Sequence, residues 1–170
     1  MIGCAISWGV MVILSFSVKL IAAKGKLCCA FSLYKTYRVV SKAPVDVLWC
    51  KLVNLADVSW HPLFAKTNLP LGLRATPGLI YQAVTRLTPI PIRLFVENVR
   101  PGQLLSLRVL TFPGMEQKIT YQMESTLKGT YLCYSVTLRG WLSPFIWWLI
   151  KPYSDRVAKE LASAAERLVY

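Results

Sequence analysis

Between Leu79 and Arg139 the chain repeats one pattern five times: a short apolar or alternating run, then a break carrying proline or glycine. The runs are Leu79–Leu87, Ile92–Val99, Leu104–Thr111, Gln117–Ser125 and Tyr131–Arg139. Their breaks are Thr88-Pro89-Ile90-Pro91, Pro101-Gly102, Pro113-Gly114 and Lys128-Gly129. Proline fixes φ and glycine tolerates positive φ, so each break is a turn signal. Ile119, Tyr121 and Met123 share one face of their run, against Lys118, Thr120, Gln122 and Glu124 on the other. Leu132, Tyr134, Val136 and Leu138 line up in the same way, as do Leu105, Leu107 and Val109 opposite Ser106 and Arg108. Half-wet strands in hairpin succession predict an antiparallel sheet with one face covered.

The cover is expected at the C-terminus. Ser143-Pro144 suits an N-cap and a first helical turn. Beyond Tyr153, Val157, Leu161, Ala164 and Leu168 recur by three or four, the spacing of an amphipathic helix. Pro152 removes an internal hydrogen bond, so a kink or break is expected near Lys151. At the other end of the domain, Tyr34 to Ser41 reads as a strand and Val45, Leu48, Trp49, Leu52 and Val53 as a helix. Asp46 sits at that helix's positive end. Asp57 to Pro62 suggests a second short helix and a turn, followed by a short strand over Phe64 to Leu69.

The order strand, two helices, six strands, long helix, entered through Ala43-Pro44…Trp49, resembles the START-like, or SRPBCC, superfamily. Trp60-His61-Pro62, Pro101-Gly102, Gly129-Thr130 and Gly140 are similar to its polyketide cyclase/dehydrase-like branch. The resemblance covers about Leu33 to Tyr170. It implies an α+β helix-grip fold, a sheet wrapped around a long C-terminal helix with an apolar cavity between them. It further implies binding of a hydrophobic small molecule or lipid without covalent chemistry. The competing reading is a cyclase or dehydratase acting on a polyketide or isoprenoid. The superfamily has no universal triad to transfer.

The cavity side is expected to carry Tyr81, Leu94, Val96, Leu107, Tyr121, Met123, Tyr134 and Val136. The tyrosines bring an apolar ring and one hydroxyl each, either suited to orienting a greasy ligand or forming a packed core with those hydroxyls bonded to backbone. Trp60 and His61 lie in a loop beside it. His61 is the one histidine, either a structural loop residue, a ligand contact, or an acid–base group with a pKa near 6.5. Arg93 and Glu97 are assigned to the outer face with Phe95 and Val99; inverted, they would form a charged pair inside. No cofactor is expected, and one histidine with scattered acids makes no persuasive metal site. Trp141 to Ile150 forms an apolar cluster too wide for one helix face. It is either a cap over the pocket, with Trp148 contacting the ligand, or a surface for a bilayer.

Composition narrows the partners. The chain is 55% hydrophobic and only 16% charged, yet its net charge is +12. The roughly 25% charge usual in globular chains is not reached. Sparse charge with a basic excess favours an anionic membrane surface over nucleic acid, whose binders display dense basic patches or known modules. Lys19, Lys24, Lys26, Lys35, Arg38 and Lys42 all precede Asp46, the first acid.

Met1 to Val18 carries no charged side chain. Extended to Ala23 as a helix it reaches about 33 Å, enough for a bilayer core of about 30 Å. Residues 1–23 are therefore expected to be a single transmembrane anchor, with 24–33 as a basic linker and 34–170 as the domain. Its basic residues follow the apolar run, which places the domain in the cytoplasm. A cleaved signal and a non-spanning extension are the alternatives. The five cysteines, Cys4, Cys28, Cys29, Cys50 and Cys133, lack metal spacing and read as reduced, mostly buried thiols. Cys28 and Cys29, just beyond the basic cluster, are either unmodified or sites of reversible acylation.

Overall fold

The computed structural model describes residues 32–110, 114–127 and 129–169. The expected anchor, most of the linker, and Cys4, Cys28 and Cys29 lie outside the described residues. In chain order the elements are β1 (Ser32–Ser41), α1 (Val45–Val53), β2 (Phe64–Thr67), β3 (Ile80–Thr85) and β4 (Pro91–Arg100), then β5 (Leu104–Leu110), β6 (Glu116–Thr126), β7 (Gly129–Arg139) and α2 (Ser143–Glu166). The seven strands form one antiparallel sheet in the order β1-β7-β6-β5-β4-β3-β2. The long helix α2 packs against β1, β7 and α1. This is a helix-grip fold.

Local chemistry explains where the elements begin and end. Pro44 is extended at the N-cap of α1, Asp46 occupies the first turn and Lys51 the last, each matching the helix dipole. Leu48, Leu52 and Val53 turn inward from it. A latch then joins the start of the domain to its end. One Glu166 carboxylate oxygen accepts Ser41 Oγ at 2.9 Å and the Lys42 amide at 2.8 Å. Both donors hold the Glu166 pKa below the ordinary carboxylate range, the backbone amide contributing most. Gly129 is required beside the latch. Its φ is +127°, and a Cβ there would stand 2.2 Å from the Ser41 carbonyl oxygen.

Several expectations need correction. No second helix forms over Asp57–Pro62. Asp57 instead accepts the Ser59 amide at 3.2 Å and the Ser59 hydroxyl at 2.7 Å, which closes a side-chain turn. Its other oxygen takes Lys51 at 2.6 Å. The helix α2 runs unbroken through Pro152, whose ring is exposed, while Ile150 and Ser154 on either side are buried. Packing on both sides of the proline holds the axis together. Leu142, not Ser143, takes the N-cap position, and Ser143 is buried in the first turn. The inner seam follows Ser154, Val157, Ala158, Leu161, Ala162 and Ala165. Leu168 is 65% exposed because the helix ends at Glu166.

The face assignment of β4 holds through Val96 and then shifts. A bulge between Val96 and Asn98 adds a residue, so Val99 pairs with inward Leu105 rather than staying with Arg93. Arg93 is exposed and Glu97 lies on the outer side. There Glu97 binds Arg108 at 2.7 Å and Lys118 at 2.6 Å and accepts Ser106 Oγ at 3.0 Å. Cys50 is exposed and Cys133 half-buried, so neither is the buried thiol expected. Cys50 shares α1's outer side, and Cys133 alternates away from Leu132 and Tyr134. Among the described residues, no helix is long and apolar enough to cross a membrane.

Candidate functional site

Alternation along β3 to β7 delivers a continuous inner surface. Tyr81, Leu94, Val96, Leu107, Tyr121, Met123, Tyr134 and Val136 are all buried on it. Across this surface runs a row of rings. Tyr37 stacks on Tyr134 at 6.0 Å, Tyr134 lies 5.1 Å from Tyr121, and Trp60 meets Tyr121 edge-on at 6.5 Å. His61 continues it, 5.1 Å from Trp60 and stacked on Phe64 at 4.3 Å.

The two ends of the row differ in polarity. At the α2 end, Ser154 hydrogen-bonds the Tyr134 hydroxyl. Burial still pushes the pKa of Tyr134 well up, as it does for Tyr81 and Tyr121, so all three remain protonated phenols. At the other end, His61 is 3% exposed. Its Nδ1 accepts the Leu63 and Phe64 amides, both at 3.2 Å. With Nδ1 accepting, the ring proton resides on Nε2, which faces Tyr121 Oη at 3.5 Å. Burial, and secondarily the Arg86 charge, pushes the His61 pKa down to about 3. Of the three readings of His61, the acid–base group near neutrality does not fit this environment; His61 is a neutral donor that also organises the loop into β2.

Around His61 lies a small cleft of about 20 Å³, room for one water molecule. Trp60, His61, Tyr81, Leu107 and Tyr121 come together in its wall, joined by Asn54, Phe64 and Leu105. Two buried polar atoms of residues in this wall, Trp60 Nε1 and Asn54 Oδ1, have no hydrogen-bond partner within the protein. One is a donor and the other an acceptor. Asp57 stands in the same wall, kept ionised by Lys51 first and Ser59 second. The cleft thus offers neutral polar groups and a carboxylate, with its apolar wall supplied mainly by leucine and aromatic rings.

The other expected residues sit elsewhere. Leu94 and Val96 are packed core at 0% exposure, and so is Val136. Tyr134 is engaged under α2. Met123 borders a separate, open groove of about 630 Å³ with Val45, Arg100, Gln103 and Glu124. Trp148 is 72% exposed and does not cap the cleft, because its side of α2 turns away from the sheet. Asn54 and Ser154 were not anticipated as site residues. Ser154 lies three residues before Val157 on the helical seam, a spacing that marks it as inward. Asn54 follows α1 directly and carries no comparable signal.

No known family profile matches the chain, and no curated protein sequence does. Solved structures do match it. The Zhui aromatase/cyclase from Streptomyces sp. R1128 aligns with a TM-score of 0.66 at 15% identity, over 82% of this chain and 97% of that one. Ara h 8.0201 aligns with a TM-score of 0.63 at 11% identity, over 81% and 99%. The norcoclaurine synthase of Thalictrum flavum gives 0.62 at 12% identity, over 84% and 99%. These neighbours are SRPBCC-type structures, the superfamily the sequence resembles, and the chain has their helix-grip fold.

Proposed function

We propose that this protein binds a neutral hydrophobic small molecule or lipid at the inner face of its sheet, entering beside Trp60 and His61. The observation that carries the reading is the pairing of an apolar, ring-lined wall with an unpartnered donor and acceptor, Trp60 Nε1 and Asn54 Oδ1. A buried polar atom without a partner costs about 1–3 kcal/mol, which a ligand hydroxyl or carbonyl would relieve. Asp57 disfavours an anionic ligand at this wall. A molecule larger than water needs the Asn54–Leu63 segment to swing outward, since drug-sized ligands fill roughly 300–1,000 Å³. That segment consists of turns joining α1 to β2, without helix or strand of its own beyond the single bridge of Asn54 to Arg74.

The finer form of the proposal is a carrier or sensor at a membrane, with residues 1–23 as a single span and the domain on the cytoplasmic side. The uncharged N-terminal run and the lysines following it support this placement. Mass spectrometry of molecules extracted from the purified full chain tests the binding reading. One hydrophobic compound recovered in constant ratio supports it. Recovery only of the general lipid mixture, unchanged when Trp60 is replaced by alanine, counts against it.

A second reading is favoured by the His61 Nε2 to Tyr121 Oη contact. The Tyr121 hydroxyl, backed by the His61 Nε2–H, can donate to a developing enolate oxygen, as a cyclase or dehydratase requires, working against the Asp57 carboxylate in the same wall. The Zhui and norcoclaurine synthase structures belong to proteins named as enzymes. Recovery of a converted product, lost in Tyr121→Phe and His61→Ala, separates this reading from a carrier that returns its ligand unchanged.

A further inference from the structure

Three exposed rings occupy the first turns of α2 and the turn before it: Trp141 is 47% exposed, Phe145 58% and Trp148 72%. Phe145 and Trp148 lie 6.4 Å apart and form one patch, with Trp141 in the turn that leads into it. Large aromatic side chains gathered in water need an occupant. Two features of the chain say which one.

The first is where the N-terminal segment joins the domain. In the β1–β7 ladder Ser32 pairs with Arg139, and Trp141 follows two residues later. The described chain therefore begins, at Ser32, opposite the end of β7 that leads into the aromatic patch. The first 18 carry no charged side chain, and Lys19, Lys24 and Lys26 lie between them and β1. The second is charge. From Arg139 to Tyr153 the sequence contains Arg139 and Lys151 and no acid. Glu116, which pairs with Arg139 in the β6–β7 ladder, is neutralised by Arg108 at 3.3 Å. Rings with basic residues on both flanks match the headgroup level of an anionic bilayer, where aromatic side chains settle and lysines find phosphate.

We infer that the patch of Trp141, Phe145 and Trp148 is a docking surface for an anionic lipid bilayer, set beside the entry point of the N-terminal segment. The orientation follows from the register. The start of α2 and the start of β1 face the lipid, while the Glu166 latch at the far end of α2 points away. The inference rests on the membrane placement proposed above, and its test separates the two.

The full chain carrying Trp8→Phe is reconstituted into vesicles of phosphatidylcholine and phosphatidylglycerol brominated near the headgroups. Flotation with the vesicles reports placement at a membrane. Bromine quenching of tryptophan reports the docking face. Strong quenching is expected, and adding Trp141→Phe and Trp148→Phe should reduce it at least twofold, leaving half-buried Trp147 as the residual quenched ring and the emission of Trp49 and Trp60 as a check on folding. Introducing Phe145→Trp into that background should restore it. Full chain that floats but whose quenching ignores these substitutions overturns the docking face and leaves the placement standing. Failure to float overturns both. Trp141 and Trp148 shielded from acrylamide yet untouched by bromine would mean that residues 1–31 or a second copy covers the patch, and the inference fails.

Discussion

From Ser154 onward, α2 lies close on the sheet and buries Ser154, Val157, Ala158, Leu161, Ala162 and Ala165. Before Lys151 the same helix is richer in large apolar side chains, yet only Ser143 and Ile150 are fully buried. The greasier half is the less covered half. Small side chains let the helix axis approach β1 and β7, and each methyl then meets partners on all sides. Rings of tryptophan size need a matching hollow, and at the start of α2 Trp147 finds only a partial one while Phe145 and Trp148 find none. Burial in this protein follows the fit between side-chain volume and the space beneath it, more than hydropathy.

Substitutions along α2 should separate the halves by size of effect. Leu161→Ala removes a fully buried side chain from the close-packed half and is expected to lower unfolding free energy by about 3 kcal/mol in denaturant titrations. Little change would mean that this half is looser than its small residues indicate. Acid gives the next largest effect and acts away from the helix. The unfolded histidine titrates near 6.5 and folded His61 near 3, so its contribution is complete above pH 6.5 and declines as pH falls toward 3. Between pH 6.5 and 5 the loss is about 2 kcal/mol, and His61→Asn should flatten that slope. Glu97 adds a decline lower down. Its pKa is brought to about 2, chiefly by Lys118, from an ordinary 4.5, so its stabilisation is lost between those values.

Ser154→Ala leaves the Tyr134 hydroxyl without its partner and should cost about 1 kcal/mol, restored in part by adding Tyr134→Phe. Trp148→Ser, in the open half, should change stability by less than about 0.5 kcal/mol despite removing the larger side chain. A loss comparable to Leu161→Ala would show that the rings are packed after all, and would erase the contrast.

Period-two alternation made most of the sheet legible, since Tyr121, Tyr134, Leu107 and Val136 face inward as their spacing requires. It failed at Val99, because one extra residue in a bulge reverses every side chain after it. The missing helix at Asp57–Pro62 has a related cause. Asp57 satisfies the backbone through its own side chain, a local competition that hydrophobic spacing does not register. Pro152 misled in the opposite direction, as its exposed side left packing on the other side intact. The site was only half visible. Trp60, His61, Tyr81 and Tyr121, singled out by ring chemistry and position, meet in one cleft, whereas Asn54 depends on how the chain leaves α1. The cap reading of Trp148 rests on the apolarity of its cluster, the property that the two halves of α2 show to be a poor guide.

The ladder between β1 and β7 also has a consequence in time. Tyr34 and Thr36 find their hydroxyl partner, Ser135, across 101 and 99 residues of sequence. The first strand to leave the ribosome is thus among the last to be paired. Contacts of such separation form slowly, because a long loop must close before they contribute. For most of synthesis β1 stays an open edge, and the sheet closes on it only once β7 has been made.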